Sequence, residues 1–197
     1  MKYTPPTTTG RGHRFRTVDT VVAAVLGVAI GVVFWLWNLV WSATEPLFVF
    51  FPPAQAVLYG VWLLPGVLGG LIIRKPGAAV LTSTAAACVS MVLGTQWGVL
   101  VVLAGVAQGA LPELVFAAGR YRRWGMGWAV LAAAAAGVSP AIWDNVQYYY
   151  ALPLSFQVAY GVIVIASAAV IAGVGGRLLT TALARTGALA PFPSAAG

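Results

Sequence analysis

The sequence is poor in charge. Only 8% of its 197 residues are Asp, Glu, Lys or Arg, and the acidic residues number four. Soluble domains carry roughly 25% charged residues, so this chain lacks a water-facing surface. It has one histidine, His13, in a polar N-terminal stretch, and one cysteine, Cys88, inside an apolar run. An internal disulfide and a CxxC site are therefore excluded, and Cys88 reads as a small packing residue. No His, Cys, Asp or Glu cluster has metal-ligand spacing, HExxH is absent, and no apolar run offers a Ser–His pair. These absences speak against an intramembrane hydrolase, with only Lys- or Asp-dependent chemistry left open. No GxxxxGK[ST] loop occurs, so the chain is not expected to hydrolyse ATP itself. No cofactor is implied.

What the chain has is hydrophobicity, at 60% of its residues. Long unbroken apolar runs speak against a β-barrel, whose strands alternate apolar and polar residues over about ten positions. The expected fold is all-α, with six transmembrane helices of about 20 residues and short loops. The first span covers Thr20 to Trp41, too long for the apolar core of a signal peptide, which runs to roughly 15 residues. The second runs from Ala54 to Ile73, after the Pro52-Pro53 stop. From Pro76 to Pro112 there is no charge at all. At 1.5 Å per residue that stretch would reach about 55 Å, beyond the roughly 30 Å hydrocarbon core, so it must fold back. Gly94-Thr95-Gln96-Trp97-Gly98, with two glycines and two polar residues, is the expected break between spans three and four. The fourth ends near Gly119, the fifth covers Met126 to Asn145, and the sixth runs from Ser155 to Gly176.

Charge placement orients this map. All 11 Lys and Arg residues fall on alternate loops or ends: Lys2, Arg11, Arg14, Arg16, Arg74, Lys75, Arg120, Arg122, Arg123, Arg177 and Arg185. The positive-inside bias puts both termini in the cytoplasm. Residues 1–17 read as a disordered basic tail, 18–186 as the membrane domain and 187–197 as a second cytoplasmic tail. The net charge of +7 belongs to topology in a bacterial plasma membrane, and nucleic acid is not an expected partner.

Polar groups inside spans are informative because hydrocarbon penalises them. Asn38, Gln96, Gln108, Glu113, Asp144 and Asn145 are such groups. Trp97, Val101, Ala104 and Gln108 share one helical face, as do Gln55, Tyr59, Trp62 and Gly66. Glu113 points roughly 160° away from Trp97 unless Pro112 bends the helix. Asn38, Tyr59, Trp62, Gln96, Trp97, Gln108, Asp144, Asn145 and Tyr148 outline an outward-opening pocket, to which Glu113 is added as a candidate. Aromatic faces suit a flat heteroaromatic or cationic ligand, and the Asp144 carboxylate favours an amine or cationic ring. Other roles remain open. Trp and Tyr at span ends also form interfacial belts, Asp144 fits a helix cap, and Glu113 fits a structural hydrogen bond or a pairing with Arg120–Arg123. Ala23, Gly27 and Gly31 recur every four residues, as do Gly66 and Gly70. Such small-residue stripes allow close helix approach, either within the bundle or to another membrane subunit.

Four segments carry a family resemblance: Arg16-Thr-Val-Asp19; Gly60-Val-Trp-Leu-Leu-Pro-Gly-Val-Leu-Gly-Gly-Leu-Ile-Ile-Arg-Lys-Pro-Gly77; Gly94-Thr-Gln-Trp-Gly98; and Gln108 through Arg123. The chain from about Arg16 to Arg185 resembles the substrate-binding S-components of energy-coupling-factor (ECF) vitamin transporters, of the YkoE type linked to thiamine and its hydroxymethylpyrimidine precursor. The resemblance implies six membrane helices with cytoplasmic ends and vitamin capture near the outer surface. It implies work with a transmembrane coupling subunit and two ATP-hydrolysing subunits. It also places Ala23, Gly27 and Gly31 where relatives carry a stripe that contacts the coupling subunit. In one place the sequence departs from the pattern: relatives often carry an acidic residue near Ser83, whereas Leu81-Thr-Ser-Thr84 is uncharged, which favours the less charged pyrimidine. A vitamin for another member of the family, and a membrane scaffold without a small ligand, are the alternative readings.

Overall fold

Apolar runs between turn residues fold into helices throughout residues 15–196, the part of the chain described by the computed structural model, and no strand occurs among them. The basic residues Lys2, Arg11 and Arg14, His13 and most of the expected tail 1–17 lie outside the described residues. The helices are α1 (Thr17–Thr44), α2 (Gly60–Ile73), α3 (Ala78–Val92), α4 (Leu100–Ala118), α5 (Met126–Gln147), α6 (Leu154–Ser167) and α7 (Gly176–Arg185). A π-helical stretch, Ala168–Gly175, joins α6 to α7 into one rod.

Five helical stretches are long and apolar enough to cross a membrane: Thr17–Phe48, Pro52–Ile73, Leu100–Ala118, Met126–Gln147 and Leu154–Arg185. The apolar α3 has 15 residues, a length of about 22 Å against roughly 30 Å of hydrocarbon. It is shortened at both ends by turns. Gly77 before it and Gly94 after it take the left-handed backbone, with φ 87° at each, a conformation that costs glycine little. The expected break at Gly94–Gly98 is thus present. Two other boundaries differ from expectation. Pro52 and Pro53 lack the N–H that a helix interior needs, and the residues from Pro52 to Leu58 form a 3₁₀ turn before α2. The last rod runs on past Gly176, because glycines there serve helix packing: a Cβ on Gly173 would lie 2.8 Å from the Val130 Cα in α5.

The α2 helix is the centre of the bundle. From Leu63 to Ile73 every residue except Leu64 is buried, with α1, α3, α4, α5 and the π-helical stretch packed around it. Its closest approaches use glycine. A Cβ on Gly66 would meet the Gln108 carbonyl oxygen of α4 at 3.3 Å, and one on Gly69 would meet Thr82 Oγ1 of α3 at 2.3 Å. The periphery is greasy instead: Val21, Val25, Val28, Leu36 and Leu39 of α1 are exposed, as suits contact with lipid.

The small-residue stripe of α1, left open between bundle packing and a partner contact, lies inside the bundle. Ala23, Gly27 and Gly31 are all buried within the bundle. A Cβ on Gly27 would sit 2.5 Å from the Ala85 Cβ, and one on Gly31 would sit 2.6 Å from the Val89 Cβ. The stripe therefore packs against α3, and its small side chains set the α1–α3 distance. It does not offer a free surface to a second subunit.

The end of the bundle that carries the described basic residues is tied by polar contacts. Asp19 is fully buried and pairs with Lys75, which follows α2, while accepting the Arg16 backbone N–H at 2.6 Å. The segment after α7 folds back over this end. Leu189 and Phe192 are buried there, and the Ser194 hydroxyl donates to the Ile72 carbonyl at 3.0 Å. Arg16 and Arg74 donate to the carbonyls of Pro191 and Pro193.

Candidate functional site

At the opposite end of the bundle the helices diverge around a cavity of about 350 Å³, the size range of small-molecule sites. Helix direction orders its wall. Phe34 lies in α1 below Trp41, and Gln108 lies eight residues into α4 from Leu100, about 12 Å along the axis. With Ser139 of α5 these mark the deep part. Glu45, Gln96, Trp97, Tyr148 and Tyr149 surround the mouth.

Aromatic rings form much of the wall. Trp41, Tyr59 and Trp62 make a mutually edge-to-face trio, with centroids 5.1 Å apart for Trp41–Trp62, 5.2 Å for Tyr59–Trp62 and 6.1 Å for Trp41–Tyr59. Edge-to-face packing satisfies each ring's quadrupole and stiffens the group. Local turn chemistry sets it there. The 3₁₀ turn brings Gln55 inward, where its amide donates to the Trp41 carbonyl at 2.8 Å. The Trp37 indole donates to the Leu58 carbonyl at 2.9 Å. The Ser167 hydroxyl donates to the Val57 carbonyl at 2.7 Å and accepts the Gly60 N–H at 3.0 Å, so the junction into α2 has no orphaned backbone group at either atom.

The polar centre is Asp144 of α5, 7% exposed and on the cavity wall. The Tyr160 hydroxyl of α6 donates to its carboxylate, and Tyr59, from the turn just before α2, stands beside it on the cavity wall. Side chains from α5, α6 and the turn before α2 thus meet around one carboxylate. Tyr149 packs on Tyr160 with centroids 4.7 Å apart. Burial first, and then the Asp144 and Glu45 carboxylates, push the Tyr149 hydroxyl up to about 12, so it stays a neutral hydrogen-bonding group. No Lys or Arg is among the lining residues, and two carboxylates are. Chemically, the site can stack a flat ring and hold a positive or hydrogen-donating group; it offers no nucleophile–base pair.

Of the ten expected ligand residues, Tyr59, Trp62, Gln96, Trp97, Gln108, Asp144 and Tyr148 line this cavity, and Asn38, Glu113 and Asn145 do not. Glu113 lies toward the other end. Its Oε1 accepts the Gly77 N–H at 2.7 Å and the Tyr121 hydroxyl at 2.7 Å, and its Oε2 accepts the Ala79 N–H at 2.9 Å. It caps α3, whose start Pro76-Gly-Ala-Ala79 supplies no capping side chain. Burial and this carboxylate push the Tyr121 hydroxyl up. Asn145 turns toward α6: its amide donates to the Ala141 carbonyl at 2.8 Å and the Gln157 carbonyl at 3.0 Å. Asn38 stands behind the wall, bonded to the Gly94–Gly98 loop.

Sequence reasoning missed Trp41, Glu45, Tyr149 and Tyr160 as lining residues. Tyr160 carried a signal, since a tyrosine inside an apolar helix needs a partner for its hydroxyl. Glu45 carried another, as the acid of an otherwise uncharged outer loop.

Comparisons with known proteins each return a transport component. The family described as "ABC-type cobalt transport system, permease component" matches residues 18–139. The chain is 31% identical over 176 residues to the "Putative HMP/thiamine permease protein YkoE" of Bacillus subtilis (strain 168), covering 89% of this chain and 87% of that protein. Its fold is similar to that in "Crystal structure of an S-component of ECF transporter", with a TM-score of 0.86 and 29% identity over 91% of each chain.

Proposed function

This chain belongs to the YkoE-type S-components of ECF transporters, and we propose that it is the substrate-capture subunit of an ATP-driven vitamin importer, binding thiamine or its hydroxymethylpyrimidine precursor. The observation that carries the reading is the aromatic cavity around Asp144, set at the end of the bundle opposite the described basic residues. By the positive-inside bias that end faces outward, both termini are cytoplasmic, and the short α3 completes six spans. The relative named for HMP and thiamine supports the ligand class.

The chemistry of the wall fits that class. Trp41, Tyr59 and Trp62 provide faces and edges for a heteroaromatic ring, and Gln55, Gln96 and Gln108 provide amides for its nitrogens. Asp144 and Glu45 give the cavity negative charge without a competing cation, which accommodates a cationic thiazolium as well as an aminopyrimidine. This weighs against the preference for the neutral precursor drawn from the uncharged Leu81–Thr84 segment.

The subunit is non-catalytic. Binding lowers the free energy of the vitamin in the outer pocket, and a transmembrane coupling subunit with two ABC-type ATPases drives reorientation and release inside. With the Gly27 stripe committed to α3, the coupling contact falls on other faces of the bundle. Equilibrium binding of thiamine and of hydroxymethylpyrimidine to the purified protein is the direct test. Binding of either well below about millimolar is expected. Failure of both while another vitamin binds refutes the substrate, and failure of every vitamin refutes ligand capture.

A further inference from the structure

We infer that Asn38 is a positioning residue for the ligand pocket, acting through Trp97; this rests on the ligand-capture reading above. Asn38 is 6% exposed, in the apolar α1, and is not itself on the cavity wall. Both of its polar atoms are engaged. Nδ2 donates to Thr95 Oγ1 at 2.9 Å, and Oδ1 accepts the Trp97 indole N–H at 3.4 Å. The Trp97 backbone N–H donates to the same Thr95 Oγ1 at 3.4 Å. Asn38, Thr95 and Trp97 therefore close a ring of three hydrogen bonds, one holding the Trp97 backbone and one its side chain.

The segment that carries Trp97 is otherwise held by backbone hydrogen bonds, such as the Thr95 N–H to the Ser90 carbonyl at 3.2 Å, and by packing of the ring against the core beside Trp41 and Trp62, none of which fixes the indole N–H. Gly94 and Gly98 bracket it in the left-handed conformation, with φ 87° and 63°, and no atom lies within 4 Å of where a Cβ would stand at either. The remaining side-chain tie, from the Ser42 hydroxyl to Gln96 Oε1, is exposed. Trp97 nevertheless reaches across the mouth to Tyr148, with centroids 5.8 Å apart. A ring placed there by a glycine-flanked loop needs a fixed point, and Asn38 is the buried one. An amide set in an apolar helix has few competing partners, which strengthens the bonds it does make.

The test uses the full chain in lipid nanodiscs, labelled with 5-fluorotryptophan, with thiamine and hydroxymethylpyrimidine as probes. The Trp97 fluorine resonance is assigned by its loss in Trp97→Phe. Asn38→Ala should raise Kd about tenfold, mainly through faster dissociation. It should also shift or broaden the Trp97 resonance, without ligand present, while the Trp62 resonance holds. Asn38→Asp keeps acceptors for both the indole N–H and the Thr95 hydroxyl, so it should restore affinity to within about threefold and restore the resonance. In the Trp97→Phe background, Asn38→Ala should add less than about twofold, because its partner is already gone. An unchanged Trp97 resonance in Asn38→Ala, or losses that multiply in the double variant, would overturn the inference. Should Asn38→Ala fail to fold, Thr95→Val breaks the same ring from the loop side and is read by the same two signals. If neither probe binds the wild type, the thiamine and hydroxymethylpyrimidine assignment falls, and the Trp97 resonance still decides whether Asn38 positions the ring.

Discussion

Replacing Glu113 by alanine should destabilise the bundle without unfolding it, and leave the ligand site's own chemistry alone. The side chain accepts three hydrogen bonds, from the Gly77 N–H, the Ala79 N–H and the Tyr121 hydroxyl, all between 2.7 and 2.9 Å. Bonds to a charged acceptor contribute about 1.5–3 kcal/mol each, and losing a helix cap costs about 0.5–2 kcal/mol. These terms overlap and do not add. The Tyr121 hydroxyl, in a loop, can turn to water, whereas the two N–H groups at the start of α3 have no replacement side chain nearby in sequence. The net expectation is a loss of about 3 kcal/mol. Glu113→Gln should lose about half of that: its single oxygen can keep the Gly77 N–H, while its amide nitrogen, a donor, faces the Ala79 N–H. Denaturant-driven unfolding in mild detergent, followed by tryptophan fluorescence, reads both values. Thiamine affinity measured under native conditions should stay within about twofold of wild type. The reasoning is refuted if Glu113→Ala loses affinity more than about tenfold with its stability unchanged, because that outcome requires contact with ligand.

Three further substitutions probe the site and the packing. Trp62→Ala removes the ring that touches both Trp41 and Tyr59, and should weaken thiamine binding at least about tenfold in calorimetry while helical circular dichroism persists; unchanged affinity would place the ligand elsewhere. Asp144→Asn keeps the shape and the Tyr160 partner but removes the charge, so in competition assays thiamine should lose about tenfold more affinity than neutral hydroxymethylpyrimidine; equal losses would count against recognition of a cation. Gly27→Leu forces a side chain into a position where even a Cβ stands 2.5 Å from the Ala85 Cβ, so gel filtration should show aggregated or unfolded protein; a well-folded variant that binds ligand but fails in transport would return the stripe to a partner role.

The membrane class, the helical fold and the two ends of the bundle were legible because they follow from quantities that sum along the chain. Apolar run length sets the spans, and the alternation of Arg and Lys clusters sorts the loops onto two ends. The break at Gly94–Gly98 was legible for the same reason, since an uncharged stretch from Pro76 to Pro112 is too long to cross once. The limits of individual helices were less so. Pro52-Pro53 predicts a stop directly before a helix, yet the residues after it form a 3₁₀ turn that swings Gln55 toward Trp41. Gly176 predicts an end, yet glycine within a packed bundle can mark contact as easily as termination: Gly173, three residues earlier, lies against Val130.

Facing direction was the part that helical periodicity could not supply. A small-residue stripe has the same spacing whether its neighbour is α3 or another protein; Gly27 and Gly31 face α3, and Ala23 is buried in the bundle. Polar residues within spans pose the same problem. Inside a bilayer every helix end and loop carries backbone groups that need partners, so a buried polar side chain has two kinds of customer, a ligand or a neighbour's backbone. Glu113 serves the start of α3, Asn145 serves the Ala141 and Gln157 carbonyls, and Asn38 serves the loop at Thr95. Asp144 is different in kind. Its side-chain partner is the hydroxyl of Tyr160, which with the neighbouring Tyr59 belongs to the cavity wall, and among the described residues no backbone N–H depends on its carboxylate. A hydroxyl can rotate to a new acceptor when a ligand arrives, whereas a helix's first N–H groups cannot. That freedom makes Asp144 the polar group of this bundle best able to exchange its present partner for a bound amine.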